Sequence, residues 1–265
     1  MPADHDRDVN FLKEDPDLLA VPLETVITAD SSAGAEGIAA AACGVAARLG
    51  GLLEALATKT EIPKAAVIAV WLVESGGRPF VPKRSSIRFE VHHFFNAWGK
   101  RNRQQFDLHF RFGGHNLQLG HPWENHEYRT EDIGEFHSVH HNQSSEYAAL
   151  TLAQILAHAE DALGCASIGG CQILMNSFAS LGYQNAQEMY SAFQESERTQ
   201  VLGFFDFCRT KPAPQPGDLL NYLRTRDWAG FAQYYNGLGQ VPVYSAKLES
   251  AYNAAVAALP IEETA

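Results

Sequence analysis

The sequence has no excess of positive charge. Its 20 Lys and Arg residues are outnumbered by 31 Asp and Glu residues, and the formal net charge of the 265-residue chain is −11. Proteins that bind nucleic acid contact phosphates through clustered basic side chains. The charge balance therefore argues against nucleic acid as a partner.

Long apolar segments are also missing. A membrane-spanning helix needs ~20 apolar residues, whereas the Ala-rich stretch 39–47 contains Gly44 and is followed at once by Arg48. The N-terminus has no basic region followed by an apolar one, so we expect no secretory signal peptide. These absences predict a chain that is made in the cytoplasm and does not insert into a membrane.

Cysteine is scarce. The four residues, Cys43, Cys165, Cys171 and Cys208, form no CxxC pair and no zinc-binding spacing. Cys43 and Cys208 fall within apolar helical patterns, which favours buried free thiols, while a disulfide stays open.

The sequence does contain enough apolar material for a sizeable core, with 46% hydrophobic and 19% charged residues. Residues 1–33 are polar and acidic without a sustained period, which predicts a flexible N-terminal arm. Residues 34–265 are expected to form one mostly α domain of the α+β kind. Helical periodicity indicates helices over 35–58, 64–75, 146–163, 171–181, 186–209, 217–225, 227–235 and 244–259.

Three stretches depart from the helical pattern. Residues 85–93 alternate between apolar and polar side chains, which predicts one small early β-hairpin. Residues 99–145 are polar, aromatic and rich in His and Gly, and we interpret them as a long His-rich loop insertion with at most a short hairpin. The prolines at 212, 214 and 216 predict a rigid connector between two later helices.

Glu74 stands at the end of the sharpest helix signal. Pro63 suits the first turn, Gly76 and Gly77 end the helix, and the residues 65–73 between them are apolar on every face, which predicts burial on all sides. Desolvation and the negative end of the helix dipole would both raise the pKa of Glu74. A carboxyl that stays protonated is what general acid catalysis of glycoside cleavage requires. The open alternative is an exposed last-turn Glu beside an ordinary glycine cap.

Four segments carry a resemblance to a known family. They read WLVESGG (71–77), IRFEVHHF (87–94), ASIGGCQILM (166–175) and DWAGFAQYYNG (227–237). In this order they resemble the N-acetylmuramidase family of phage endolysins, within the lysozyme superfamily, over about Ile62 to Ala258. The family has Trp where this chain has Ile168 and Arg where it has Val91, and its usual short peptidoglycan-binding repeat is not apparent here.

The resemblance implies a lysozyme-like fold for residues 34–265 and an activity. The chain would be a peptidoglycan hydrolase that binds glycan strands and cuts the β-1,4 bond between N-acetylmuramic acid and N-acetylglucosamine without a cofactor. Glu74 would be the proton donor and Glu90 the second carboxylate, with inversion favoured by analogy to related lysozymes. For Glu90, an ion pair with Arg84 or Arg88 is the open alternative.

The resemblance and the residue types also indicate positions that would bind the substrate. These candidates are Ser75, His92, Ser167, Gln172, Tyr235 and Asn236. Ser167 would lie in the turn that begins a helix beside the cleft, and Gln172 would bind a sugar or the acid unless it makes an internal hydrogen bond. Tyr235 and Asn236 would offer an aromatic face to a sugar and an amide to an N-acetyl group.

Histidines cluster in and just before the insertion. They are His92, His93, His109, His115, His121, His126, His137, His140 and His141. Their spacing is irregular and includes no HExxH pattern, so we predict polar loops that bond through imidazole, and no metal site.

Three other functions stay open on the sequence alone. A lytic transglycosylase would share the single Glu but form a 1,6-anhydro product, and a chitinase-like enzyme would cut oligomers without peptide stems. A catalytically inactive module of a phage tail or injection particle is the third. An active enzyme without a signal peptide would reach the cell wall or periplasm through a phage holin, a secretion apparatus or an injection device.

Overall fold

The computed structural model describes residues 14–25, 36–118, 120–211, 213 and 218–259. Within them the helices are α1 (Gly37–Thr60), α2 (Lys64–Ser75), α3 (Val91–Ala97), α4 (Arg103–His109), α5 (Gln143–Leu156), α6 (Ala159–Leu163), α7 (Ala186–Glu195), α8 (Glu197–Thr210), α9 (Leu219–Thr225), α10 (Trp228–Tyr235) and α11 (Val241–Ala258). The strands are β1 (Ile87–Phe89), β2 (Phe110–Arg111), β3 (Glu127–Tyr128), β4 (His137–Ser138), β5 (Ala166–Ile168) and β6 (Ile173–Leu174). The predicted mostly α fold with a small β part is confirmed.

The chain forms two compact units. The first takes the described residues of 1–79, 180–182 and 196–265, and the second takes those of 80–179 and 183–195. The division into an arm over 1–33 and one domain over 34–265 stays a prediction.

In the first unit, α2 is surrounded by other helices. It packs against α1, α9 and α11, and every residue of 65–72 is buried. Both α2 and α11 contain fully buried alanines, for example Ala69 and Ala251, and such small side chains allow helix backbones to approach closely. The predicted bounds of 64–75 and the burial on all sides are confirmed as far as Leu72, while Val73, Glu74 and Ser75 are half-buried.

The helix α1 is joined to the described part of the N-terminal stretch. Thr25 donates its backbone N–H to the Ala47 carbonyl at 2.9 Å, and Gly51 donates to Leu23 at 3.2 Å. A Cβ at Gly51 would lie 2.4 Å from the Pro22 carbonyl oxygen, so only glycine permits this contact. The described part of the predicted arm, residues 14–25, is therefore attached to α1 through residues 22–25, and the rest of that prediction lies outside the described residues. Among the described helices, α1 is the one long and apolar enough to cross a membrane, and it packs against α2 and α11.

The later helices begin at side-chain caps. Ser196, Asp218 and Asp227 each accept a hydrogen bond from a backbone N–H in the first turn of α8, α9 and α10, at 2.9–3.1 Å. Ser196 has an extended backbone, so the single helix predicted over 186–209 is wrong and is divided into α7 and α8. The predicted proline connector lies outside the described residues.

In the second unit, the early strand has a distant partner. β1 pairs antiparallel with β5, placing Ile87 opposite Ile168 and Phe89 opposite Ala166, and β5 pairs with β6. The early strand is confirmed, but it ends at Phe89 because α3 begins at Val91. The hairpin is instead formed by β5 and β6.

The turn between β5 and β6 corrects the helix predicted over 171–181. Gly169 and Gln172 have positive φ angles of 82° and 52°, which close the chain into a tight turn and exclude a helix there. Ile173 and Leu174 then form β6, and Met175–Leu181 is a 3-10 helix. Cys171 and the other three cysteines, all within the described residues, are buried as predicted and form no disulfide with one another.

The His-rich insertion has its own core. It contains α4 and the three-stranded sheet β2–β3–β4, where loops and at most a hairpin were expected. Phe106 is fully buried and contacts the rings of Phe94, Phe110 and Phe112. Aromatic side chains supply the apolar area that the low aliphatic content of this stretch does not suggest.

Candidate active site

Glu74 lies in the last turn of α2, where the chain reverses. The N–H groups of Gly76 and Gly77 donate to the carbonyls of Leu72 and Trp71, each at 3.0 Å. Gly76 and Gly77 have φ angles of 61° and 75°, a conformation that glycine adopts without steric cost. This cap gives Glu74 a defined position at the helix end.

The Glu74 carboxylate meets Asn236, the residue that follows α10. Asn236 Nδ2 donates to Glu74 Oε1 at 2.7 Å. Glu74 is half-buried and Asn236 is exposed. The structure thus brings together two predicted site residues that are far apart in the sequence.

Two further predicted residues of this unit serve the local structure. The Ser75 hydroxyl donates to the Trp71 carbonyl of its own helix at 3.0 Å. The Tyr235 ring stacks on Phe231 at 4.8 Å between centroids and meets Phe204 and Phe207 edge to face. Tyr235 therefore lies on the aromatic core, which fixes the position of the adjacent Asn236.

An ion pair that the sequence did not indicate holds the end of α2. Arg48 donates from Nε and Nη2 to the two oxygens of Glu197, each at 3.0 Å, and from Nη2 to the Gly77 carbonyl at 2.9 Å. The Glu197 side chain is only 8% exposed. A bidentate ion pair has a strict geometry that fixes the Arg48 guanidinium. Through its bond to the Gly77 carbonyl, Arg48 then positions the turn that follows Glu74.

In the second unit, Glu90 lies between β1 and α3. Its backbone N–H donates to the Cys165 carbonyl at 2.9 Å. Arg88 Nε donates to Oε1 at 2.8 Å, which is one of the two ion pairs named as alternatives. Oε2 lies 3.4 Å from His126 Nδ1 and 3.6 Å from His92 Nδ1.

A chain of hydrogen bonds runs through the imidazoles beside Glu90. His126 Nε2 lies 2.9 Å from the Pro122 carbonyl, its Nδ1 lies 2.8 Å from His140 Nε2, and His140 Nδ1 lies 2.8 Å from Glu146 Oε1. Burial lowers the pKa of His126 and of His140 to about 4, so both rings are neutral at neutral pH.

The directions of these bonds follow from the Pro122 carbonyl. A carbonyl only accepts, so His126 carries its hydrogen on Nε2 and accepts from His140 through Nδ1. His140 then accepts through its own Nδ1, and Glu146 is the donor. Burial raises the pKa of Glu146 to about 8, which keeps this carboxyl protonated near neutral pH.

The remaining predicted residues of this unit are His92, Ser167 and Gln172. His92 is half-buried, and burial lowers its pKa to about 4. Ser167 lies in the middle of β5, opposite Arg88 and Leu174, so its prediction as a turn residue is wrong. Gln172 donates from Nε2 to the Gly169 carbonyl at 2.7 Å and to the Ser86 carbonyl at 3.3 Å. These internal hydrogen bonds stabilise the β5–β6 turn.

Comparisons with known proteins agree with these observations. The family model described as Muramidase, N-acetylmuramidase, matches residues 63–256. The crystal structure of Burkholderia AP3 phage endolysin is similar, with 26% sequence identity, a TM-score of 0.55, and coverage of 77% of this chain and 70% of that chain. A search of the curated proteins found no match. Since the family model spans most of the chain and the endolysin shares its fold, the chain belongs to the N-acetylmuramidase family of peptidoglycan hydrolases.

Proposed function

We propose that this chain is a lysozyme-type N-acetylmuramidase. It would hydrolyse the β-1,4 bond between N-acetylmuramic acid and N-acetylglucosamine, with Glu74 as the general acid. The hydrogen bond from Asn236 to Glu74 carries the proposal, because it joins two of the family segments at one carboxyl group. The substrate implies action on the cell wall, while holin, secretion or injection as the delivery route stays a prediction.

The geometry around Glu74 suits a proton donor. Cleavage of a glycosidic bond needs a proton on the leaving oxygen as positive charge develops on the sugar ring. Asn236 donates to Oε1, so the proton of the acid form belongs on Oε2. The amide thereby decides which oxygen transfers the proton.

The surroundings of α2 support the same role. A general acid works only when its proton is held at a fixed position relative to the substrate. The buried stretch 65–72 holds the helix, and Arg48 holds the Gly77 carbonyl just beyond it. Glu74 therefore lies at the end of a helix that is held in place by its buried residues, and its own side chain is half-exposed to solvent.

We further propose Glu90 as the second carboxylate, which would activate water in an inverting reaction. Glu90 lies in the second of the four segments that resemble the family, and the Arg88 contact supports the proposal because it orients the carboxylate. Inversion would convert the β-linked sugar to a product of α configuration, which proton NMR of the freshly formed reducing end detects.

Digestion of purified peptidoglycan with mass spectrometry of the products tests the function. Hydrolysis leaves reducing N-acetylmuramic acid ends with water added. We expect Glu74→Gln to lower the rate at least about 100-fold and Glu90→Gln about tenfold or more, because each removes a proton-transfer group. Glu249→Gln, at an exposed position of α11, is the matched control and should keep full activity.

Each other function predicts a different result in the same assay. Anhydro ends would identify a lytic transglycosylase, and a preference for chitin oligomers without peptide stems would identify a chitinase-like enzyme. Absence of any product from the unmodified chain would indicate an inactive module. Full activity of Glu74→Gln would refute the assignment of the acid, and a loss smaller than tenfold for Glu90→Gln would leave Glu90 as a partner of Arg88.

A further inference from the structure

Three side chains of the second unit converge on one point. Glu90, His126 and His140 each offer one ligand atom, and these atoms all lie within 4.8 Å of one another. The His126 side chain has no exposed area, and the Glu90 side chain is 15% exposed. The group is thus enclosed by the protein and is not a chance cluster of surface charges.

The outer nitrogens of both rings already have hydrogen-bond partners. His126 Nε2 is held by the Pro122 carbonyl at 2.9 Å, and His140 Nδ1 is held by a Glu146 oxygen at 2.8 Å. A histidine that binds a metal ion commonly donates its second N–H to a backbone carbonyl or to a carboxylate, which fixes the ring and its tautomer. Both kinds of support occur here, one on each ring.

The inner nitrogens therefore face each other. His126 Nδ1 and His140 Nε2 are 2.8 Å apart, and Glu90 Oε2 is 3.4 Å from the first of them. A tetrahedral zinc ion with bonds of about 2.0–2.1 Å to nitrogen places its ligand atoms about 3.3 Å apart. The distance between Glu90 and His126 already fits. The two imidazoles need to separate by about half an ångström, and the ligand atoms of Glu90 and His140, which lie within 4.8 Å of each other, need to come to the same spacing.

We propose that Glu90, His126 and His140 bind a divalent transition-metal ion, with zinc as the best fit. Two imidazoles and one carboxylate suit zinc better than magnesium or calcium, which prefer oxygen ligands. This proposal departs from the expectation of no metal, which considered spacing in the sequence and not the folded arrangement.

Binding would rearrange the hydrogens in a balanced way. The metal ion replaces the hydrogen that His140 Nε2 donates to His126 Nδ1. His140 then carries its one hydrogen on Nδ1 and donates it to the Glu146 carboxylate, and one proton leaves to solvent. Arg88 occupies Glu90 Oε1, so Glu90 would bind the ion through Oε2 alone.

By binding residues of both, the proposed ion would link the His-rich insertion to the early strand β1. Glu90 directly follows β1, whereas His126 and His140 belong to the insertion on either side of β3 and β4. A ligand that binds only the folded arrangement stabilises it by mass action. We therefore expect the role of the ion to be structural.

The test uses the full chain purified without a histidine tag. After treatment with EDTA and gel filtration, zinc chloride is titrated, the bound metal is measured by mass spectrometry, and cobalt chloride serves as a second probe through its visible absorption. We expect one ion per chain, cobalt bands typical of tetrahedral coordination, and a rise in Tm of about 5 °C with saturating zinc.

Variants separate this site from the other histidines. His140→Ala should lose zinc binding at least about 100-fold, and Glu146→Gln about 10- to 100-fold because it removes the supporting carboxylate. His141→Ala, at the exposed neighbouring position, is the matched control and should bind as the unmodified chain does. Glu90→Gln keeps the shape of the side chain, so it reports on binding even if a His variant fails to fold.

Two outcomes would overturn the proposal. One is an unmodified chain that stays folded by circular dichroism and binds no zinc or cobalt at micromolar concentrations. The other is equal binding by the unmodified chain, His140→Ala and Glu90→Gln, which would place the ion elsewhere. Both readouts are independent of peptidoglycan cleavage, so the proposed role of Glu74 can fail or hold separately. Because Arg88 holds Oε1 and the ion would take Oε2, a bound ion would exclude Glu90 as the base that activates water.

Discussion

Asn236 and Glu74 are 162 positions apart in the sequence, yet their side chains are joined at 2.7 Å. Each was predicted as a site residue from a family segment, and neither segment alone indicates the other. The contact depends on the packing of Tyr235 against Phe204, Phe207 and Phe231, which sets the direction of the chain after α10. The sequence therefore indicated both residues as candidates, whereas the contact between them required the fold.

Asn236→Ala tests this pairing. Removal of the amide leaves Glu74 without the donor that fixes its orientation, so we expect a loss of roughly 10- to 100-fold in kcat. Asn236 is exposed, so the Tm should change little. The measurement is release of reducing ends from peptidoglycan, with Asn253→Ala on the exposed face of α11 as the control. An unchanged kcat would show that Glu74 needs no help from Asn236.

Other site residues could not be found from sequence patterns. Arg48 and Glu197 form their ion pair between α1 and α8, and no local motif links them. His126 and His140 are likewise brought together by the sheet of the insertion. Their spacing in the sequence matches no metal-binding pattern, so it did not indicate that they would meet. Side chains that meet only through tertiary packing produce no regular pattern in the sequence.

At the scale of elements, α2 was predictable and the β5–β6 region was not. The bounds of α2 are set by signals inside a short window: Pro63 before it, apolar residues throughout, and Gly76 and Gly77 after it. The stretch after Cys171 has an apolar composition that suits either a helix or a strand. In the folded chain this stretch is a strand, because it pairs with β5 and because the preceding turn has positive φ angles. Tertiary contacts often determine whether a short apolar run becomes a helix or a strand.

The two glycines that end α2 make a matched pair for a stability experiment. Both have positive φ, but a Cβ at Gly76 would meet no atom within 4 Å, whereas one at Gly77 would lie 2.8 Å from Val45 Cγ2. We expect Gly76→Ala to lower the free energy of unfolding by about 1 kcal/mol, for backbone conformation alone. Gly77→Ala should cost about 2–4 kcal/mol, because steric overlap adds to it.

Urea unfolding followed by circular dichroism measures both values. Equal costs for the two variants would mean that Val45 moves aside freely, and the packing argument at the end of α2 would then be wrong. Activity is a second readout, since Gly77→Ala also displaces the carbonyl that Arg48 holds.

At the scale of the whole molecule, the net charge of −11 affects how the protein meets its substrate. The peptide stems of peptidoglycan carry carboxylates, so a strongly acidic protein is repelled at long range. Salt screens this repulsion, with a Debye length of about 30 Å at 0.01 M and about 8 Å at 0.15 M. We therefore expect the rate on purified peptidoglycan to rise roughly two- to tenfold over this range.

Initial rates at constant pH, with Tm measured at each salt concentration, check the expectation. A rate that falls steadily with salt, at constant Tm, would show that a local positive potential dominates over the overall charge.

The fold class could be predicted because helical periodicity covers most of the domain and the family segments are local. The split into two compact units could not be predicted, since the described residues of 180–182 and 196–265 join the first unit through contacts that are distant in sequence. The same is true of β1, whose hydrogen-bonding partner is β5.

The packing of α2 against α11 has a consequence for how the protein is made. The ribosome completes the Glu74 helix by residue 75 but does not reach its partner until residue 241. Throughout that interval one side of α2 lacks its cover, and domains of this kind fold as units once their distant segments are present. A chain that ends before residue 241 therefore lacks the helix that covers α2, and we expect it not to assemble the proposed acid site.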